Sequence, residues 1–168
     1  MILVYQAGRR VSRVRGLLWF TIALAVAFAF WGIDLYRTYG LRPADGGQLA
    51  PHGVRLAWLA ALLVLGVGSA VGMAFYARAY IAALWYDAAT DTVQIRTVGL
   101  WRSRQVFPRA QIRAVDFHAG DFWALDRSVE APWYTIRIHG RRRALILDAQ
   151  GTIVDRRLLG RVLGNLTS

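Results

Sequence analysis

The chain has 168 residues, of which 56% are hydrophobic and only 18% are charged, a composition too apolar for a typical soluble domain and typical of a small membrane protein. Its net charge of +11 comes from 21 arginines against 10 acidic residues, and because no nucleic-acid-reading motif is present, we expect contact with anionic membrane lipids rather than sequence-specific nucleic-acid binding. The absence of cysteine excludes disulfides and thiolate metal sites.

The chain begins with a basic flank over residues 1–15 and continues into an apolar segment. From Gly16 to Ile33, 18 residues carry no charge, which predicts a first transmembrane helix over residues 16–36. A signal peptide shares this order of a basic and an apolar region, and Ala27-Phe28-Ala29 resembles a cleavage site. The apolar run is longer than the usual core of a signal peptide, so we expect the segment to be retained.

A second apolar segment follows a connection over residues 37–55, whose Gly and Pro content predicts an irregular loop or a short interfacial segment. Residues 56–86 carry one charge, Arg78, and the uncharged part exceeds the about 20 residues that cross a bilayer. This predicts a second transmembrane helix over residues 56–86. Arginines flank the hairpin on the side of both termini, so the positive-inside rule places both termini in the cytoplasm or the mitochondrial matrix.

The second span carries small residues at helical spacing. Gly68 and Gly72 match a GxxxG motif, and Gly66 with Ala70 extends the same small surface. In lipid, close backbone approach over small residues is one of the few sources of helix association. We predict that these four residues pack helices together, with packing inside the hairpin favoured over a dimer or partner interface.

After Tyr86 the pattern changes to alternating apolar and polar residues, most clearly over residues 93–97 and 134–138. Turn residues separate these runs at about ten-residue intervals, which indicates an antiparallel meander of five or six strands. The last segment has helical spacing, with Thr152 as a candidate N-cap. Residues 87–168 therefore predict a small pleckstrin-homology-like β-domain with a C-terminal helix, and the whole chain is predicted to be an α+β membrane protein.

One acid-rich stretch offers ionisable groups for chemistry: Asp116, His118, Asp121, Asp126 and Glu130. The sequence has no HExxH motif, no paired-histidine spacing and no Gly-rich phosphate loop followed by Lys. We interpret the stretch as a solvated loop and predict no catalytic, metal-binding or cofactor-binding residues. A membrane-embedded enzyme that uses this loop is the weakest alternative.

Three consecutive arginines, Arg141, Arg142 and Arg143, follow Gly140 at a predicted hairpin tip. Clustered guanidinium groups match the geometry of phosphates, so this run is a candidate binding site for anionic headgroups, ribosomal RNA or a protein partner. A solvated edge that discourages strand pairing explains the run equally well.

The order of parts resembles the mitochondrial transmembrane protein 223 family, whose members have two spans followed by a basic β-domain. The similarity includes the segment HGRRRALILDAQG, with matching positions at Gly140, Arg141, Arg142, Leu147, Asp148 and Gly151. The run from Val93 to Val115 is similar to that family's middle strands and equally to bacterial membrane proteins with a pleckstrin-homology-like domain after a helical hairpin.

This resemblance implies a non-enzymatic accessory subunit or assembly factor of an energy-converting membrane complex, specifically in the assembly of cytochrome c oxidase. It also implies subunits of a larger complex, and the mitochondrial ribosome, as partners. The implied location is the mitochondrial inner membrane; the bacterial cytoplasmic membrane is the alternative, because no presequence is evident before the first span. A second hypothesis is a module that binds anionic lipid headgroups without a dedicated protein partner.

Overall fold

The computed structural model describes residues 1–41, 47–99, 104–124 and 127–164, without the side chains of 113–115, 121–124 and 127–130. The chain divides into two compact units. One unit contains Gly16–Phe75, and the other combines Met1–Arg15 with Tyr76–Ser168. The first unit is therefore an insertion within the sequence of the second.

Two long helices and their connection form the unit over residues 16–75. Helix α1 covers Arg10–Thr38 and helix α2 covers His52–Ala79. Their most apolar windows have mean hydropathies of 2.0 and 2.1, and only 11% of each window is buried. A core helix of a soluble protein would be mostly buried, whereas these helices expose large apolar side chains, including Trp19, Phe30, Val64 and Leu65. The hydrophobic effect opposes such a surface in water, so the two helices have the length and the surface of membrane spans.

The two helices pack against each other where glycine lets their backbones approach. A Cβ atom added at Gly66 of α2 would lie 2.9 Å from Ala25 Cα of α1. A Cβ atom added at Gly32 of α1 would lie 2.9 Å from Leu59 Cδ1 of α2. The hairpin therefore uses one glycine from each helix at its close contacts, as small-residue packing in membranes requires.

The other unit contains, within the described ranges, ten strands and a C-terminal helix. The elements are β1 (Ile2–Gln6), β2 (Ile81–Asp87), β3 (Thr92–Thr97), β4 (Arg104–Pro108), β5 (Ile112–His118), β6 (Asp121–Ala124), β7 (Arg127–Glu130), β8 (Trp133–Ile138), β9 (Leu145–Asp148), β10 (Thr152–Ile153) and α3 (Arg156–Leu163). One antiparallel sheet has the order β10-β1-β2-β3-β4, a second has the order β5-β8-β9, and β6 pairs with β7 as a hairpin.

This architecture confirms the predicted α+β class, with two apolar helices, antiparallel sheets and a C-terminal helix. Without the β6–β7 hairpin and the short β10, four strands of one sheet and three strands of another precede the last helix. The sequence predicted five or six strands over residues 87–168, whereas this range contains eight described strands, β3 to β10, and the domain also includes β1 and β2. The helical hairpin lies in the sequence between the first two strands of this domain.

The core of the β-domain follows the predicted period of two. In β3, Val93, Ile95 and Thr97 are buried, while Gln94 and Arg96 between them are partly exposed. The same alternation recurs at the end of β8, and β9 also alternates buried with half-buried positions. Alternating burial places one face of each strand on the core, which is the basis on which these strands were predicted.

Helix α2 ends at Ala79, although the sequence predicted a helix as far as Tyr86. The residues after Ala79 form strand β2, which lies between β1 and β3 and has five buried residues among its seven. A central strand buried on both faces is apolar throughout, so its sequence continues that of a membrane helix without a visible break. The predicted boundary was therefore wrong, and the start of α2 at His52 also precedes the predicted start at residue 56.

The predicted flank over residues 1–15 contains a strand of the main sheet. Leu3 of β1 pairs with Trp85 of β2, and Tyr5 pairs with both Leu84 of β2 and Ile153 of β10. Helix α1 then begins at Arg10, before the predicted residue 16. Cleavage after Ala29 would remove β1 from the interior of this sheet, which supports the expectation that the first span is retained.

The C-terminal helix begins later than predicted because the predicted N-cap residue belongs to a strand of the sheet. Thr152 belongs to β10 and pairs with Gln6 of β1. Asp155 is the N-cap of α3, and its side chain accepts a hydrogen bond from the Leu158 backbone N–H at 2.9 Å. Asp is at least as good an N-cap as Thr, so α3 loses no capping energy by starting after β10.

Candidate functional site

The three consecutive arginines have different surroundings in the structure. Arg141 packs its guanidinium 5.0 Å from the centroid of the Phe107 ring and donates a hydrogen bond to Gln105 Oε1, both on β4. Its backbone N–H closes the turn by donating to Ile138 O at 3.0 Å. Arg142 and Arg143 are exposed on the same turn. All three residues are therefore exposed, and Arg141 is held against β4.

The four small residues predicted to pack helices also divide into two groups. Gly66 contacts α1, as described above, and Ala70 is half-buried. In the described part of the chain, nothing lies within 4 Å of a Cβ atom added at Gly68 or Gly72. The GxxxG pair therefore presents open small-residue surface, while the offset position Gly66 carries the contact inside the hairpin.

The acid-rich stretch spans β5, β6 and β7 rather than a loop. Asp116 on β5 lies 3.8 Å from Arg137, and both side chains are mostly exposed. The His118 ring stacks on Trp133 with the ring centroids 5.1 Å apart. Asp121 and Glu130 are opposite each other in the β6–β7 register, and Asp126 lies outside the described residues. Among the described residues, no group of three or more His, Asp or Glu side chains is placed to hold a metal ion.

A polar cluster around Asp148 joins the N-terminus of α1 to the end of β9. Arg10 Nη1 donates to Asp148 Oδ2 at 2.6 Å, and the Tyr80 hydroxyl donates to the same oxygen at 2.8 Å. The second oxygen, Oδ1, accepts the backbone N–H of Gln150 at 2.9 Å. Arg10 also donates to Gln150 Oε1. Since the Asp148 side chain is only 13% exposed and that of Arg10 is 35% exposed, this ion pair is partly shielded from water.

The turn after Asp148 is built against Tyr5 of strand β1. The Tyr5 hydroxyl donates to the backbone carbonyl of Asp148 at 3.0 Å, and the Gly151 N–H donates to the same carbonyl at 3.1 Å. Tyr5 is fully buried, and a Cβ atom added at Gly151 would lie 2.7 Å from its Cζ. The Asp-x-x-Gly spacing therefore has a direct physical reason: the Asp fixes Arg10 and Tyr80, and the Gly leaves room for Tyr5.

The two tyrosines of the cluster remain protonated at neutral pH. Burial, followed by the Asp148 charge, raises the pKa of the Tyr5 hydroxyl well above its ordinary value of 10.0. Burial, followed by the hydrogen bond to Asp148, raises the pKa of the Tyr80 hydroxyl in the same direction. Both hydroxyls therefore act as neutral hydrogen-bond donors to the Asp148 region.

A pocket with a volume of about 350 Å³ lies beside the Asp148 side chain. Its walls come from the last turn of α2, the residue between α2 and β2, the segment before β8, the first residue of β8 and strand β9. The lining residues are Tyr76, Tyr80, Ala131, Pro132, Trp133, Ile146 and Asp148. Aromatic rings and aliphatic groups form most of this surface, and Asp148 is its charged residue. A small concave site with few polar groups has the general form of a ligand pocket.

Neither the Asp148 cluster nor the pocket was predicted as a site from the sequence. In the sequence, Asp148 and Gly151 stand out only through the family resemblance, and Arg10 belongs to the basic flank. The signal that was available is the lone Asp at the end of an apolar strand, Leu145–Asp148, because a charge in that setting requires a partner. Its partners are far away in the sequence, at residues 10 and 80, so they could not be identified without the fold.

No match to this chain was found among curated proteins or among solved structures. A family model, the TMEM70/TMEM186/TMEM223 protein family, matches residues 10–165. The match includes both apolar helices, nearly all of the β-domain and the Asp148 turn, and it confirms the resemblance to the transmembrane protein 223 family. With its two spanning helices, this chain is a membrane protein that belongs to the TMEM70/TMEM186/TMEM223 family.

Proposed function

We propose that the protein is a non-enzymatic accessory subunit or assembly factor of an energy-converting membrane complex. Membership of the TMEM70/TMEM186/TMEM223 family is consistent with a role in the assembly of membrane complexes. Within that role, cytochrome c oxidase is the partner complex implied by the resemblance to transmembrane protein 223. The proposed mechanism is binding alone, through helix packing in lipid and through the surface of the β-domain.

The observation that carries this proposal is the pairing of β1 with β2. These strands are neighbours in one sheet, and the two spanning helices lie between them in the sequence. Only three residues separate β1 from α1, and one residue separates α2 from β2. The hairpin is therefore joined to the β-domain by two short linkers. Such an arrangement suits an adapter whose hairpin binds a membrane subunit and whose β-domain binds a peripheral subunit.

The same pairing supports a topology in which both ends of the hairpin are on one side of the membrane. Arginines are concentrated in the flank before α1, at Arg9, Arg10, Arg13 and Arg15, and the positive-inside rule assigns this side to the matrix or the cytoplasm. We propose the mitochondrial inner membrane as the location, with the bacterial cytoplasmic membrane as the alternative. The mitochondrial ribosome is a further proposed partner on that side.

The open GxxxG pair is the proposed contact with a neighbouring transmembrane helix. Gly68 and Gly72 have space above them, whereas Gly66 is used inside the hairpin. Small residues allow close helix approach in lipid, where apolar contact alone gives little association energy. Larger residues at Gly68 and Gly72 would therefore prevent the chain from binding its complex, while the contact between α1 and α2 would be unaffected.

Native electrophoresis of gently solubilised membranes, followed by mass spectrometry, tests this proposal. We expect the wild-type chain to migrate with subunits of a respiratory complex or of the ribosome. Gly68→Leu with Gly72→Leu should shift it to a lower mass. The control is Val67→Leu, which enlarges a side chain on the same helix that is already exposed. Migration of the wild-type chain alone, at monomer or dimer size, would contradict the proposal.

Binding of anionic lipid is the second candidate function, and the exposure of Arg142 and Arg143 favours it. In this case the chain would migrate alone in the native gel and would retain anionic lipid such as cardiolipin. That retention should weaken steeply with salt, because exposed charges are screened over about 8 Å at physiological ionic strength. Arg142→Gln with Arg143→Gln should then abolish retention, whereas an assembly factor that docks through α2 would be insensitive to this change.

A further inference from the structure

The pocket beside Asp148 has the chemistry of a site for a cationic amine. We propose that it binds the amine of a zwitterionic phospholipid headgroup, such as phosphatidylethanolamine or phosphatidylcholine. Its volume of about 350 Å³ lies within the usual range for small-ligand sites, about 300–1,000 Å³. Binding of a lipid at this site requires no protein partner, so it can be tested independently of the assembly role.

The walls of the pocket combine aromatic rings with one carboxylate. Tyr76, Tyr80 and Trp133 line it together with Asp148. The faces of aromatic rings attract ammonium groups, and cages of such rings recognise choline and other quaternary ammonium ions. A carboxylate accepts about four hydrogen bonds. In the described part of the chain, Arg10, Tyr80 and the Gln150 N–H donate three hydrogen bonds to Asp148, and its carboxylate charge attracts an ammonium group.

The charges next to the pocket match a zwitterion better than an anion. The Arg10 guanidinium lies 2.6 Å from Asp148 Oδ2, so a positive and a negative group are adjacent at the site. A headgroup with an amine and a phosphate places its amine at Asp148 and its phosphate towards Arg10. A headgroup with a phosphate but no amine brings its only charge close to Asp148, which electrostatic complementarity disfavours.

The position of the pocket in the chain identifies the membrane as the source of the ligand. Tyr76 lies in the last turn of α2, and the spanning helix ends at Ala79. Tyrosine and tryptophan at the end of a span are typically located at the depth of the lipid headgroups. The pocket is therefore lined by a residue from the end of the span, where phospholipid headgroups are the nearest source of amines.

Contacts of the lining residues with the rest of the β-domain fix the shape of the pocket. The Trp133 ring stacks on His118, with ring centroids 5.1 Å apart and planes inclined by 25°. The Ala149 N–H donates to Pro132 O at 3.0 Å and fixes the segment before β8 to the end of β9. The Tyr80 hydroxyl is held by Asp148. A site whose side chains are fixed before binding loses little conformational entropy when it is occupied.

Native mass spectrometry of the purified full-length chain in detergent tests the proposal with three added lipids: phosphatidylethanolamine, phosphatidylcholine and phosphatidylglycerol. We expect retention of the two amine lipids and much weaker retention of phosphatidylglycerol. Trp133→Leu should weaken retention of the amine lipids about tenfold, since it removes an aromatic face. The matched control is Trp85→Leu, which removes a tryptophan that contacts Arg96 and is not part of the pocket.

A second variant keeps the test decisive if Trp133→Leu does not fold. Ile146→Lys leaves every aromatic ring and polar group of the site in place and adds a positive charge to its wall. Because like charges repel, it should also lower retention of the amine lipids about tenfold. Equal retention of phosphatidylglycerol and phosphatidylethanolamine by the wild-type chain would overturn the proposal. Wild-type retention of amine lipids by folded Ile146→Lys would overturn it as well.

Discussion

Gly151→Ala is expected to lower the free energy of unfolding of the β-domain by about 3 kcal/mol, the upper end of the usual effect of overpacking. The new methyl group would lie against the Tyr5 ring, 2.7 Å from Cζ. Tyr5 is fully buried and its hydroxyl is bonded to Asp148 O, so the ring has no free space into which to move. Thermal unfolding of the purified chain, followed by near-ultraviolet circular dichroism, measures the loss.

Gly160→Ala is the matched control for this prediction. Gly160 lies inside helix α3, and nothing within 4 Å would meet its new methyl group. Alanine is favoured over glycine inside a helix by roughly 0.5–1 kcal/mol, so this variant should be slightly more stable than the wild type. The two Gly→Ala changes are thus expected to have opposite signs. Equal and small effects would show that Tyr5 does not pack on Gly151 as described.

Asp148→Asn is expected to cost about 2 kcal/mol of unfolding free energy, because it removes the charge that holds Arg10 and Tyr80. Charge-assisted hydrogen bonds are worth more than neutral ones, and the Asp148 side chain is largely shielded from water. For a domain of about 100 residues, this loss corresponds to a fall in melting temperature on the order of 10 °C.

Asp116→Asn makes the same chemical change at an exposed ion pair. The partner of Asp116 is Arg137, at 3.8 Å, and the two side chains are 54% and 69% exposed. Exposed pairs contribute about 0–1 kcal/mol, so the melting temperature should change little. If Asp148→Asn and Asp116→Asn behaved alike, the contacts of the Asp148 side chain with Arg10 at the start of α1 and with Tyr80 before β2 would not stabilise the domain as the geometry indicates.

The parts of the fold with local patterns could be predicted from the sequence. Both spanning helices are long and continuously apolar, and the sequence alternates over residues 93–97 in β3 and 134–138 in β8. The type of these elements therefore follows from the pattern of their own residues. The boundary between α2 and β2 could not be predicted in this way. A buried central strand and a membrane helix are both continuously apolar, and only the pairing of β2 with β1 and β3 distinguishes them.

The candidate site was less accessible to prediction because its contacts connect distant parts of the sequence. Arg10 lies 138 residues from Asp148, and Tyr5 lies 143 residues from it. The arginine could be interpreted only as part of the basic flank that orients the first span, since nothing nearby in the sequence indicates an ion pair. Gly151 and Asp148 were recognised through a family resemblance, and the structure supplies the physical reason for both.

Strands β1 and β2, at the two ends of the membrane hairpin, pair in one sheet, and we propose that both ends therefore lie on one side of the membrane. The chain contains no cysteine, so single cysteines can be labelled without background. Gln6→Cys lies on β1, Ala88→Cys follows β2, and Gln48→Cys lies between the helices, all at exposed positions. In sealed vesicles, a membrane-impermeant maleimide should label Gln6→Cys and Ala88→Cys from one side and Gln48→Cys from the other. Labelling of Gln6→Cys and Ala88→Cys from opposite sides would contradict the pairing of β1 with β2.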